Sequence, residues 1–308
     1  MAIDITVLGS SSATPTSSRH PSAFLFKSSK QKDYFLIDCG EGTQILLRRA
    51  KIRMQRVSRI FISHLHGDHF FGLIGFISTQ NLLGRTEELH IYAHKPLEKI
   101  IKIQLKLEKT KLNFPLIFHA ISSKKKKNVL YEDATIEITT FPLVHSIPTN
   151  GFLFREKGAA RLIDKGFIKK YNPTIEQIAA IKKGNDFTTP DGEILKNENI
   201  TFMYNDLKTF AYCSDTIYTE TILPYIENVD LLYHEATFME ELADVAKEKY
   251  HSTAKQAAEI ATLAHAKKLL IGHYSARYKD LTPLIAEARA VFPNTLAAYE
   301  GSTINVSD

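Results

Sequence analysis

The run His64-Leu65-His66-Gly67-Asp68-His69 constrains this chain more than any other feature. Four side chains able to bind a metal fall within six positions, directly after Arg59–Ser63, a β-branched and aromatic stretch that reads as a short strand. Imidazole and carboxylate together suit zinc, manganese or iron. Gly67 is expected to let the backbone turn tightly, so that ligands close in sequence converge. A pair of cations needs more ligands, and three further strand ends offer them. His145 follows an alternating segment ending in Pro142-Leu143-Val144. Asp215 follows the expected strand Leu207–Cys213, and His273 follows Lys268–Gly272. Singly, each reads as a structural residue; together they complete a coordination set, with Asp215 as the natural bridging carboxylate.

The rest of the chain alternates strands with helices. Ile3, Ile5 and Val7 alternate with Asp4 and Thr6, and Ala23–Lys27 and Tyr34–Cys39 are also strand-like. Helices are expected over Gly42–Ala50, Phe70–Leu83 and from Pro96 onward, the last burying Leu97, Ile100, Ile101 and Leu105 behind a solvated stripe of Lys99, Lys102, Lys106 and Lys109. Lys124–Lys127 lies between two strand-like segments and reads as a hairpin tip. Thr253-x-x-Gln256 has the form of a capping box, opening a helix that buries Ala257, Ile260, Ala261 and Ala264. Leu281–Val291 reads as a helix and Thr295–Tyr299 as the last strand. Many strands with interspersed helices imply an α/β sandwich.

Residues 155–200 break this pattern. The segment is rich in Gly and Pro, with one helix-like piece at Thr174–Lys183. From Arg155 to Lys183 there are eight Lys or Arg and three Asp or Glu, an excess equal to the +5 of the whole 308-residue chain. It reads as a basic insertion between core strands. A net +5 is mild, so the concentration of charge argues for a polyanionic partner better than the total does. No apolar run approaches the roughly 20 residues that span a bilayer, and no membrane partner is expected. The N-terminus reads as a strand rather than a signal peptide. Two cysteines, Cys39 and Cys213, make no disulfide framework, so the cytoplasm is the expected compartment.

His64-Leu65-His66-Gly67-Asp68-His69, taken with His145, Asp215 and His273, resembles the metallo-β-lactamase superfamily. Further motifs narrow this. Asp38-Cys39-Gly40-Glu41-Gly42-Thr43-Gln44, His234-Glu235-Ala236-Thr237, His251-Ser252-Thr253 and His273-Tyr274-Ser275-Ala276-Arg277-Tyr278 resemble ribonuclease Z, the endonuclease family that trims tRNA 3′ ends. The resemblance runs from Leu8 to the last strand.

It implies an αββα four-layer sandwich forming one domain over residues 1–308, with residues 155–200 as a tRNA-binding arm. The length matches the short form, which implies a homodimer. It also implies two Zn2+ per subunit, with Mn2+ or another divalent metal as the alternative. His64, His66, His145 and Asp215 would hold one ion, and Asp68, His69, Asp215 and His273 the other. The substrate would be precursor tRNA, cut to leave a 3′-hydroxyl on the tRNA and a 5′-phosphate on the trailer. Asp68 would serve as base. His251, oriented by Glu235, would protonate the leaving oxygen. His234 reads as structural.

RNA contacts are expected from Lys165, Lys169, Lys170, Lys182 and Lys183 in the arm, and from Arg19 and Arg277 near the site, Arg277 being equally suited to a structural ion pair. The loop Pro15-Thr16-Ser17-Ser18-Arg19-His20 departs from the PxKxRN pattern of the family, with Ser17 for Lys and His20 for Asn. That departure bears on whether mature CCA ends are spared. The competing expectation is a small-molecule phosphodiesterase of the same fold.

Overall fold

A computed structural model describes residues 3–124, 127–157, 160–204 and 207–307. The chain divides into two compact units, one formed by Met1–Glu156 with Lys208–Asp308 and the other by Lys157–Leu207. Among the described residues no helix is long and apolar enough to cross a membrane.

The larger unit contains two seven-stranded sheets. The first runs, edge to edge, Thr303–Asn305, Ile3–Gly9, Ala23–Ser28, Tyr34–Ile37, Val57–Phe61, Leu89–His94 and Leu116–Ile121. Its first four strands are antiparallel neighbours, and its last four are parallel neighbours. The second runs Thr295–Ala297, Lys268–Gly272, Leu231–Glu235, Thr209–Cys213, Thr149–Glu156, Ile136–Leu143 and Asn128–Glu132. Here the first four are parallel and the last four antiparallel. Parallel neighbours need crossover connections, and these supply the helices of the outer layers.

Aromatic side chains fill the space between the sheets. Phe24, Phe26, Phe35 and Phe61 meet Phe152, Phe154, Phe210, Tyr212 and Tyr233, all fully buried. Phe26 stacks on Phe154 at 4.6 Å, and Phe24 lies 4.5 Å from Tyr233. On the outer face of the first sheet lie the helices Thr43–Arg49, Gly72–Leu82 and Pro96–Leu107. On the outer face of the second lie Ala254–Leu263 and Thr282–Val291. The result is the four-layer αββα sandwich.

Local expectations are met where capping or alternation is strong. Thr253 and Gln256 form a complete capping box, and Ala257, Ile260, Ala261 and Ala264 are fully buried. Three readings change. Leu116–Ile121 and Asn128–Glu132 belong to different sheets, so the chain between them is a crossing and not a hairpin; residues 125–126 of that lysine run lie outside the described residues. Leu97 and Ile101 are buried and Leu105 packs beside them, but Ile100 is exposed, because only one i, i+4 row of this helix meets the sheet. The last strand is Thr303–Asn305, which pairs with Ile3–Gly9 across the ends of the chain. It is three residues long and only partly buried, too short for alternation to register.

The smaller unit has its own core of Ile163, Phe167, Ile181, Phe187 and Ile200. It holds two two-stranded sheets and the helices Lys165–Tyr171, Ile175–Lys182 and Asn197–Ile200. Asp164 caps the first helix through Phe167 N–H at 2.8 Å, and Thr174 with Gln177 caps the second. The first, seven residues with an internal glycine, was too short to stand out in the sequence. Lys165, Lys169, Lys170, Lys182 and Lys183 are all exposed.

Candidate metal centre

All seven expected ligands leave the C-terminal ends of strands and meet in one cleft. Val57–Phe61 delivers His64 and His66, and the one-turn helix Gly67–Phe70 that follows carries Asp68 and His69. In the other sheet Leu143 pairs with Thr149, so His145 stands in the connecting loop. The parallel register aligns Cys213 with His234 and Glu235 with Gly272. Asp215, Glu235 and His273 therefore emerge side by side.

Two groups of ligand atoms form, His64, His66, His145 and Asp215, and Asp68, His69, Asp215 and His273. In the first, His66 Nδ1 lies 3.1 Å from both His64 Nε2 and His145 Nε2, while Asp215 Oδ2 is 3.6 and 3.8 Å from those two atoms. In the second, Asp215 Oδ1 is 3.4 Å from His69 Nε2 and 3.3 Å from His273 Nε2, and Asp68 Oδ2 is 3.4 Å from each. Tetrahedral ligands held at about 2.0–2.1 Å from a zinc stand roughly 3.3 Å apart. The observed spacings bracket that value, and the two oxygens of Asp215 each face a different group.

The electrostatics fit divalent metal binding. His69 Nε2 is buried without a hydrogen-bond partner. Burial disfavours charge on His69, yet the carboxylates of Asp215, Asp68 and Asp38 outweigh it and raise its pKa well above the usual imidazole range. Those carboxylates call for positive charge. Burial and its neighbouring imidazoles depress the pKa of His64, so it stands ready as a neutral ligand.

A second ring of hydrogen bonds sets three of the imidazoles, His69, His145 and His273. His69 Nδ1–H donates to Asp38 Oδ2 at 2.8 Å, and Asp38 also accepts from Tyr212 OH and from Ser63 N–H and Oγ–H. His145 Nδ1–H donates to the Tyr250 carbonyl at 2.8 Å. Thr237 Oγ–H donates to Glu235 at 2.7 Å, which leaves its oxygen to accept from His273 Nδ1–H at 2.9 Å. Each bond turns Nε2 toward the cleft. Asp38 and Thr237 were not singled out in the sequence, although the motifs around Asp38 and Glu235 contained them.

Glu235 is fully buried and accepts from Thr216 N–H, Thr237 N–H, Ser252 N–H, Thr237 Oγ–H and His251 Nδ1–H. The His251 bond is 2.8 Å, the pairing expected from the sequence. Burial works against charge on His251, but Glu235 outweighs it and the pKa rises to about 9. Glu235 thus favours the imidazolium form of His251. His251 lines the cleft alongside His66, Asp68, His145, Asp215 and His273. His234 points elsewhere, its Nδ1–H bonded to the Glu235 carbonyl at 2.7 Å.

Arg19, expected to contact RNA, is also engaged within the protein. Its Nη2 donates to the carbonyls of Tyr278 at 2.7 Å and Ser275 at 3.4 Å. This ties the Pro15–His20 loop to the one after His273. Further along the same loop, Ala13 N–H donates to Asp68 Oδ2 at 2.8 Å. His20 is engaged by Glu300 at 3.0 Å. Arg277 is exposed, stacked over Phe238 at 4.9 Å with Nε bonded to Ser275 Oγ. Gly67 has no unusual φ, and the Phe71 ring packs against it, where a Cβ would lie 2.1 Å from that ring. Lys249 and Phe71 also line the cleft and were not anticipated.

Two stacked mixed sheets with paired His and Asp clusters at one edge define a metal-dependent hydrolase of the metallo-β-lactamase fold. The Bacillus subtilis metallo-β-lactamase fold protein YhfI shares that fold, with a TM-score of 0.68 at 20% identity over 99% of this chain and 100% of its own. Residues 3–165 match the family model described as Anti-Pycsar protein Apyc1, a match that ends before Asp215, Glu235, His251 and His273. Full-length relatives go further. The chain is 45% identical to ribonuclease Z of Porphyromonas gingivalis over 99% of both chains, and 45% identical to ribonuclease Z of Cytophaga hutchinsonii over 100% of this chain and 97% of the relative. The crystal structure of the short form of human tRNase Z superposes with a TM-score of 0.71 at 26% identity, covering 98% of this chain and 99% of that one. This chain belongs to the ribonuclease Z family.

The Asp38–His69 bond gives a direct test of the second ring. Asp38→Asn is expected to weaken divalent-metal binding at the group containing His69 by roughly 10–100-fold. Zn2+ titration against a competing chelator measures this, and an unchanged affinity would remove Asp38 from the support of the site.

Proposed function

We propose that the chain is an endoribonuclease that removes 3′ trailers from tRNA precursors by phosphodiester hydrolysis. The tRNA keeps a 3′-hydroxyl and the trailer a 5′-phosphate. The observation that carries this reading is the His251–Glu235 pair standing in the same cleft as seven converging ligands. A metal centre alone suits many hydrolyses. A buried carboxylate holding an imidazolium beside it adds a proton donor for an alkoxide leaving group.

Two Zn2+ would be held by His64, His66, His145 and Asp215, and by Asp68, His69, Asp215 and His273. Bound there, they would supply an acidified water and offset the charge of the phosphate. The chain's own residues do the rest. Asp68, fixed by Ala13 N–H and close to His69 and His273, accepts the proton of the attacking water. His251 protonates the departing 3′-oxygen, and Glu235 holds its ring by Nδ1 so that Nε2 is the donor. Arg277 and Lys249 add positive charge near the cleft for flanking phosphates.

The unit Lys157–Leu207 binds tRNA through phosphates at its basic part, using Lys165, Lys169, Lys170, Lys182 and Lys183, with an affinity that falls steeply as salt rises. The protein works in the cytoplasm as a homodimer, a state that light scattering on the purified protein reads directly.

Asp68→Ala is expected to abolish cleavage of a precursor tRNA while binding survives; normal turnover would remove Asp68 from the mechanism. His251→Ala should slow cleavage by roughly 10²–10⁴-fold, and an unchanged rate would return His251 to a structural role. The arm has a clean excision point, because Glu156 N–H donates to the Lys208 carbonyl at 3.0 Å, so its two ends are neighbours. Replacing Lys157–Leu207 with a short Gly-Ser link should eliminate the single cut in precursor tRNA yet leave hydrolysis of bis(p-nitrophenyl) phosphate. Equal cleavage of precursor tRNA without the arm would favour a small-molecule phosphodiesterase.

A further inference from the structure

We propose that Phe71 is a stacking platform for one of the two bases that flank the scissile phosphate. The inference rests on RNA being the substrate, and it names a contact that positions the strand. Phe71 lies between the helices Gly67–Phe70 and Gly72–Leu82. Within the second helix Leu73, Phe76 and Ile77 are fully buried against the sheet, whereas Phe71 is 58% exposed. Leaving a phenyl ring in water forfeits the stabilisation that burial would bring. The ring also lines the cleft together with His66, Asp68, His145 and Asp215.

Its position is built rather than loose. Phe71 N–H donates to the Gly67 carbonyl at 2.8 Å, fixing the backbone. The ring rests against the bare main chain of Gly67, where a Cβ would meet its Cε2, Cζ and Cδ2 at 2.1, 2.3 and 2.7 Å. The Phe70 ring packs edge-on at 5.1 Å. Supported by Gly67 and Phe70, the ring offers its remaining surface to the cleft, two residues beyond the last ligand of the turn, His69.

The chemistry selects the occupant. Cations and lysines bind phosphate and say nothing about where a base goes. A base next to the bound phosphate is a flat π-surface within reach of the ring, and stacking on an aromatic side chain tolerates any base. Such a contact would hold the strand on one side of the cut, so that the phosphate and the His251 proton donor meet in register.

The test uses the metal-loaded full-length protein and three precursor tRNAs, one intact and two with an abasic residue on either side of the cut. Phe71→Ala should lower kcat/KM on the intact precursor by roughly 5- to 150-fold, with metal content unchanged, while Phe71→Tyr stays near wild type. On one abasic precursor the wild type should show the same loss, and Phe71→Ala should add nothing to it. A second readout needs no turnover. In an Asp68→Ala background, 2-aminopurine at that position should be quenched on binding, and further substitution of Phe71 by Ala should relieve the quench. Wild-type kinetics for Phe71→Ala, or equal losses on all three precursors, would overturn the proposal alone. A wild-type protein that leaves the intact precursor uncut would overturn the assigned activity and this contact with it.

Discussion

The rest of the structure is organised around a single buried carboxylate. Asp215 presents one oxygen to His64 and His145 and the other to His69 and His273, all at 3.3–3.8 Å. A carboxylate so enclosed is unfavourable unless positive charge surrounds it. Burial resists ionisation of Asp215, but His273 and His69 prevail and hold its pKa well below the usual range. Divalent metal would answer the same demand more strongly. The two sheets must therefore meet at one edge, because the first supplies His64, His66, Asp68 and His69 and the second supplies His145, Asp215 and His273. The aromatic layer of Phe61, Phe152, Phe154 and Tyr212 behind them holds that meeting in place.

Around Asp215 the hydrogen bonds form a hierarchy. Thr237 links Glu235 to His273, so the candidate metal group and His251 share one support. Glu235 in turn orients His251 and accepts backbone N–H bonds from Thr216 and Ser252, which follow strands of the same sheet or open its outer helix. The Arg19 brace holds the loop whose Ala13 N–H fixes Asp68. The consequence is functional. Imidazole tautomers and carboxylate rotamers are set before substrate arrives, and such preorganisation is what a charged transition state rewards.

Legibility in the sequence varied with the locality of the physical signal. The ligand turn was readable because its residues are adjacent and chemically unusual. His145, Asp215 and His273 were readable as strand-end residues only when counted together. The Thr253 capping box was readable because its bonds span three residues. Ile100 was misassigned because periodicity shows that a helix has an apolar face, while the width of that face depends on the sheet beneath it. The lysine run misled for a related reason. Two strands close in sequence look like a hairpin until each finds its own sheet. The bonds of Arg19 were not legible, because its partners are carbonyls more than 250 residues away.

By itself, then, the amino-acid order determined the fold class, the seven ligands and the family, because motif chemistry and strand or helix periodicity act over a few residues. Tertiary structure decided that Asp38 and Thr237 set ligand tautomers, that Arg19 braces a loop, and that Phe71 faces the cleft while its helix neighbours face the core. Those outcomes depend on which atoms approach within about 3–4 Å, the range of hydrogen bonds and close packing. For residues far apart in the chain, only the stacking of the two sheets sets that distance.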